Sequence, residues 1–291
     1  MTDRQMTADG DRTGLLAGVV LCLLSMSSVQ FGSAFSATAI AEFGPAATTF
    51  LRVAIAAAIL AAIVRPRVLR YDRRQWLSAA MLGTTMAGMT LSFFAAIERI
   101  PLGLAVAIDF LGPLAVATFG IGAGWRLVWP AAALVGVMLL SHDGEGWIGD
   151  PVGVLFACGA AVGWGTYIVL MRSSGRLFKG LEGLSMSLIV AAIAAAPFGL
   201  WRAPEAMSPE GLGMMLGLAI LVPLFPYALE MIALRRMPIA AFGILMSLEP
   251  AFGAIAGFLV LAQPMTPWQM LGTALVVAAS AGVTSAGSGQ S

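Results

Sequence analysis

Apolar residues run in blocks of about 20 along almost the whole chain, and polar residues gather in the short gaps between them. The blocks cover positions 14–35, 45–64, 76–97, 101–121, 125–141, 150–171, 182–202, 210–232, 238–262 and 267–287. A helix crossing the apolar layer of a bilayer needs about 20 such residues. The pattern therefore predicts an all-α integral membrane protein of ten transmembrane helices with tight connections. The longest gap, 65–75, is a basic turn with no room for a folded domain. Any function must sit within the bundle. The polar start, Met1–Arg12, leads into a first block with no small-residue cleavage site after it, so that block reads as a retained span.

Composition agrees. Of 291 residues, 59% are hydrophobic and 11% charged, against about 25% charged in soluble domains. The net charge of +1 gives no reason to expect nucleic acid as a partner. Cys22 and Cys158 both lie in apolar blocks, which argues against a disulfide framework and against a metal site.

Position carries the useful charge signal. With the N-terminus inside, the outer connections hold only Arg99 and Arg202, and Arg52 lies inside a span. The other 13 of the 16 basic residues fall in inner segments. That asymmetry predicts cytoplasmic termini in a bacterial inner membrane.

The sequence also predicts an internal repeat. Ile97-Glu98-Arg99-Ile100-Pro101 is matched by Leu234-Arg235-Arg236-Met237-Pro238, and each proline is followed by a second, Pro113 and Pro250. The offset is 137 residues throughout. The halves, 1–145 and 146–291, then hold five spans each. An odd number inverts the second half, a transporter signature with the substrate site near the midplane. Proline displaces the carbonyl four residues earlier, that of Asp109 for Pro113 and of Met246 for Pro250. Freed backbone oxygens at mid-depth are tolerated against protein or a water-filled cavity. A plain packing kink is the alternative. Gly83, Gly88, Pro223 and Pro226 supply bending points in spans 3 and 8, and with Pro113 and Pro250 form the candidate hinges.

Four ionisable residues fall within spans away from the extreme ends: Arg52, Asp109, Glu230 and Glu249. Intramembrane charges are costly and mark pathways, couplings or ion pairs. Arg52 is expected to pair with one of the acids. Glu230 is expected to meet Arg235 and Arg236 at the inner boundary. Glu249 is the candidate for proton or substrate coupling, a buried neutral Glu being the alternative. Gln30, Thr90, Asp109, Trp164, Tyr167, Tyr227, Met246 and Ser247 are candidates for a substrate-binding wall, with Ser33 and Thr166 also in spans. Gly159/Gly163, Gly213/Gly217 and Gly253/Gly257 are spaced for close helix packing. No zinc-protease, nucleophile-elbow or Walker pattern occurs, so neither an enzyme nor an ATP-driven pump is expected, and no cofactor or metal.

Three segments carry a resemblance: residues 101–115 (PLGLAVAIDFLGPLA), 226–234 (PYALEMIAL) and 242–251 (FGILMSLEPA). The chain resembles the EamA-type branch of the drug/metabolite transporter superfamily, and within it the bacterial threonine/homoserine and aromatic amino-acid exporters. The resemblance implies two inverted five-helix repeats. It also implies export of amino acids such as threonine, homoserine, methionine or aromatic ones from the cytoplasm. The Gly-Glu pair common in the family at the outer end of span 9 is replaced by Ala262-Gln263, and Asp109 stands where the exporters carry Glu. The resulting expectation is an exporter working by alternating access, with protons as the candidate coupling ion. A broad-specificity drug or metabolite carrier and a non-transporting scaffold are the rival readings.

Overall fold

The computed structural model describes residues 3–119, 128–142, 146–234, 236–237, 242 and 245–288, with the backbone alone at 3–15, 117–119, 172, 227, 228, 231, 234 and 283–288. Helix α1, Asp3–Val64, holds both of the first two predicted spans. It bends at Gly44, whose φ of 82° lies in the region that glycine reaches without a Cβ penalty. Pro45 then opens the second arm at a position where its missing N–H costs nothing. Helix α2, Arg73–Ile97, starts with a capping box: Gln75 N donates to Asp72 and Asp72 N to the Gln75 side chain. Helices α3, Leu102–Asp109, and α4, Leu111–Phe119, divide the fourth span, and α5 is Val128–Leu140.

Helix α6, Pro151–Leu177, is capped by Asp150, and α7 is Glu182–Gly199. Helix α8, Pro209–Ala219, is capped by Ser208. A widened turn, Ile220–Leu224, separates it from α9, Phe225–Leu234. Helix α10 is Glu249–Leu261 and α11 is Pro267–Ser288.

Among the described residues, Leu16–Val64, Arg73–Ile97, Pro151–Leu177 and Glu182–Gly199 are long and apolar enough to cross a membrane. Leu102–Val116, Val128–Leu140, Pro209–Leu224 and Glu249–Leu261 are shorter apolar helices. Large apolar side chains such as Leu155, Val162, Ile193 and Phe198 point outward, as a lipid-facing surface requires.

Spans 4, 8 and 9 differ from the unbroken helices the apolar pattern predicts, and prolines are the reason. Pro113 cannot donate to Asp109, and α3 ends on Asp109. Pro223 lies in the widened turn, where Val222 leaves helical geometry. Pro250 occupies the first turn of α10, after a turn at Ser247-Leu248. By contrast α2 runs unbroken through Gly83 and Gly88. Gly83 serves close packing, since a Cβ there would meet the Ser187 carbonyl at 2.4 Å.

Helix α2 packs on α6 and α7, α1 on α7 to α10, α5 on α11, and α3 on α10. Two of the three glycine pairs work as predicted: Gly163 lies against Met89 of α2, and Gly253 against Val106 of α3. Gly213 and Gly217 have open space where a Cβ would project. At the far end of α10, Ala262 turns left-handed and Gln263 accepts a bond from Leu102 N at 3.0 Å, tying α10 to the start of α3.

Candidate functional site in the bundle interior

The two broken spans meet at their breaks. Val106 lies where a Cβ on Gly253 would sit, and a Cβ on Gly257 would touch Leu102 at 3.5 Å. Residue numbers rise along α3 as they fall along α10, so the pair is antiparallel. That register carries Asp109, at the end of α3, to the level of Pro250 and Glu249 at the start of α10. Glu249 thus shares this part of the interior with two further acids, Asp109 and Glu230. The breaks fall at Phe110 and Ser247, the same 137-residue offset as the sequence match.

Helix α1 lines the other side. Gln30 is buried and its Nε2 donates to Glu249 Oε1 at 3.1 Å. One and a half turns earlier, Ser25 Oγ donates to Glu230 Oε1 at 2.8 Å. Ser28 Oγ donates to the Leu221 carbonyl at 2.8 Å, satisfying a backbone oxygen in the widened turn. Cys22 is fully buried beside Glu230 and Glu249. Sequence reading missed Ser25 and Ser28. Their three-residue spacing on an otherwise apolar helix was the available signal.

Glu230 therefore accepts from Ser25, a partner that was not expected. Among the described residues it makes no ion pair; Arg236 is exposed and Arg235 lies outside the described residues. Arg52 is buried, with its guanidinium carbon 4.3 Å from the centroid of the Phe94 ring, a contact that favours a desolvated cation.

Trp164 is half-buried and meets Phe110 edge-on, with ring centroids 5.7 Å apart. It therefore borders the break that ends in Asp109. Tyr167 is buried in the cluster between α2, α6 and α7. Thr90 is half-buried on α2. Met246 is half-buried and packs with Cys22 and Met26, while Ser247 is fully buried at the second break. Ser33 is buried; Thr166 is exposed and bonds its own helix at Val162. The side chain of Tyr227 lies outside the described residues. Among the described residues no group of three or more His, Cys, Asp or Glu could hold a metal ion.

Truncating Trp164 separates two roles. If it lines the transport path, Trp164→Ala changes the ranking of threonine, methionine and phenylalanine as exported substrates. Ranking unchanged, with lower thermal stability, assigns it to helix packing instead. Export of the three measured side by side in wild type and variant decides it.

Buried acids at paired helix breaks within a lipid-facing bundle are what a carrier needs, and the comparisons with known proteins agree. The chain is 36% identical over 270 residues to the threonine/homoserine exporter RhtA of Escherichia coli K12, covering 91% of this chain and 90% of the relative. The chain belongs to the EamA-like transporter family. That family's profile matches residues 151–285. The Salmonella typhimurium exporter of the same name is 35% identical over 268 residues, covering 91% and 90%. An uncharacterized transporter of Bacillus subtilis, YwfM, is 25% identical over 234 residues, covering 76% and 77%. A solved crystal structure superposes with a TM-score of 0.59 at 21% identity, covering 93% of this chain and 96% of that one. It bears on the fold alone. This EamA-like protein is thus a multi-pass membrane transporter, and its relatives carry solutes without being enzymes.

Proposed function

We infer that this EamA-like transporter exports amino acids from the cytoplasm of a bacterial cell by alternating access. The similarity to the threonine/homoserine exporters, over nine-tenths of both chains, carries the reading. Threonine and homoserine are the primary substrates, with methionine and aromatic amino acids as further ones. The interior mixes Gln30, Asp109, Ser247 and Glu249 with Phe110, Trp164 and Met246, which suits a substrate that is polar at one end and apolar at the other. The rival drug or metabolite carrier has less support. A phosphorylated metabolite would want paired basic groups, and Arg52 is the sole basic residue of the sequence that falls inside a span away from its ends.

The fold implied is ten transmembrane helices in two inverted repeats, 1–145 and 146–291. The breaks at equal offset and the antiparallel meeting of α3 with α10 support that reading. Uptake of labelled threonine, homoserine, methionine and phenylalanine into proteoliposomes, with and without a pH gradient, tests the function. If the purified protein moves none of the four, the amino-acid assignment is wrong.

In this reading the ten spans and the 13-to-2 split of basic residues put both termini in the cytoplasm and the loop 141–150 outside. Single cysteines in that loop should react with an impermeant thiol reagent added to whole cells, and cysteines near Arg70 should not. The opposite labelling pattern inverts the topology.

A further inference from the structure

Three buried oxygen acceptors at the paired breaks have no hydrogen-bond donor among the described residues: Oε1 of Gln30, Oε2 of Glu249 and Oδ1 of Asp109. Gln30 and Glu249 form one unit, because the amide nitrogen donates to the other carboxylate oxygen at 3.1 Å. That bond uses the amide's donor side and leaves its oxygen available. The third acceptor comes from the facing broken helix. The antiparallel register of α3 on α10, fixed by the Val106–Gly253 and Leu102–Gly257 approaches, brings Asp109 level with the first turn of α10.

The charged groups that Glu249 senses, Asp109 and Glu230, are both acidic. Glu230 already accepts from Ser25. A buried acceptor without a donor is costly, and a buried carboxylate without a counter-charge more so. The group that satisfies such a set carries a positive charge and several donors. A primary ammonium has both, with three N–H donors.

We propose that Gln30, Asp109 and Glu249 form the receptor for the substrate's α-ammonium group. The ammonium, not the carboxylate, is then the feature this transporter requires of its substrate. The inference rests on the amino-acid reading above and names the atoms that enforce it. Phe110 follows Asp109 directly and abuts Trp164, so a substrate anchored by its ammonium has an aromatic wall one residue away for its side chain.

Isothermal titration of the purified full-length protein in sodium-free, mildly acidic buffer tests this with three probes. Threonine has both charged groups, threonine methyl ester keeps only the ammonium, and 2,3-dihydroxybutanoate keeps only the carboxylate. Threonine and its ester should bind within about tenfold of each other, and dihydroxybutanoate at least about a hundredfold more weakly, as a site built around one polar group rejects an analogue lacking it. Glu249→Gln and Asp109→Asn, each checked for a single size-exclusion peak, should both weaken the two ammonium probes. Dihydroxybutanoate binding as tightly as threonine overturns the proposal while leaving amino-acid export standing. So does a folded Glu249→Gln protein with wild-type threonine affinity, or displacement of threonine by added sodium, which would make the acceptors a metal-cation site. Binding of the ester in a Glu249-dependent manner without any binding of threonine keeps the ammonium receptor and removes the amino-acid reading. No binding by any probe removes both.

Discussion

Glu249→Gln is expected to abolish the response of export to a proton gradient while leaving the protein folded. In wild-type vesicles, acid on the side that receives the exported amino acid should accelerate transport, because protons moving inward drive the substrate outward. Glu249 is the proposed carrier of that exchange. It is buried, Gln30 holds one of its oxygens, and the other has no donor among the described residues. Glutamine keeps the shape but cannot take up and release a proton. The rate under a gradient should therefore fall all the way to the rate measured at matched pH. The measurement is threonine flux in proteoliposomes at matched and opposed pH. Equal stimulation by the gradient in variant and wild type moves Glu249 to a purely structural role.

Gly112→Val should damage folding more than any substitution at a lipid-facing glycine. A Cβ on Gly112 would sit 2.0 Å from the Ala161 carbonyl oxygen and 3.1 Å from Gly165 N. The obstacle is backbone, so no rotamer change relieves it, and α4 must move off α6. Overpacking of this kind costs about 1–3 kcal/mol, more where the backbone itself must shift. Gly213→Ala is the control. Nothing lies within 4 Å of a Cβ there, and alanine favours the helix by about 0.8–1.0 kcal/mol over glycine. Thermal unfolding in detergent should show a lower midpoint for Gly112→Val and an unchanged or higher one for Gly213→Ala. Equal midpoints for the two variants would mean that α4 and α6 are not in contact as described.

Much of this was legible along the chain because lipid imposes a simple rule on composition. Apolar block length located the helices, and proline positions located the breaks at Phe110 and Ser247, since a missing donor at a fixed residue interrupts the ladder at a fixed carbonyl. The site was only half legible. Asp109 and Glu249 stand out as acids in apolar blocks, but their meeting depends on the α3–α10 crossing, which glycines allow and sequence order does not reveal. Glu230 is half legible for a related reason. Arg235 and Arg236 are its near neighbours in the chain, yet side chains meet along a helix at three- and four-residue spacings. Neither spacing joins Glu230 to those arginines, and Ser25 of another helix is its partner. The bend at Gly44 shows the reverse case, where a Gly-Pro pair at the end of the gap between the first two blocks marks the corner in the sequence itself.

The bond from Leu102 N to Gln263 joins the far ends of α3 and α10 without any net charge on either partner. A neutral contact of this kind contributes only about 0.5–1.5 kcal/mol, so it joins the two helix ends weakly. Dissolved ions screen charges and have little hold on an amide–peptide bond. The join between these two helix ends is thus expected to hold about equally well in fresh and in briny water.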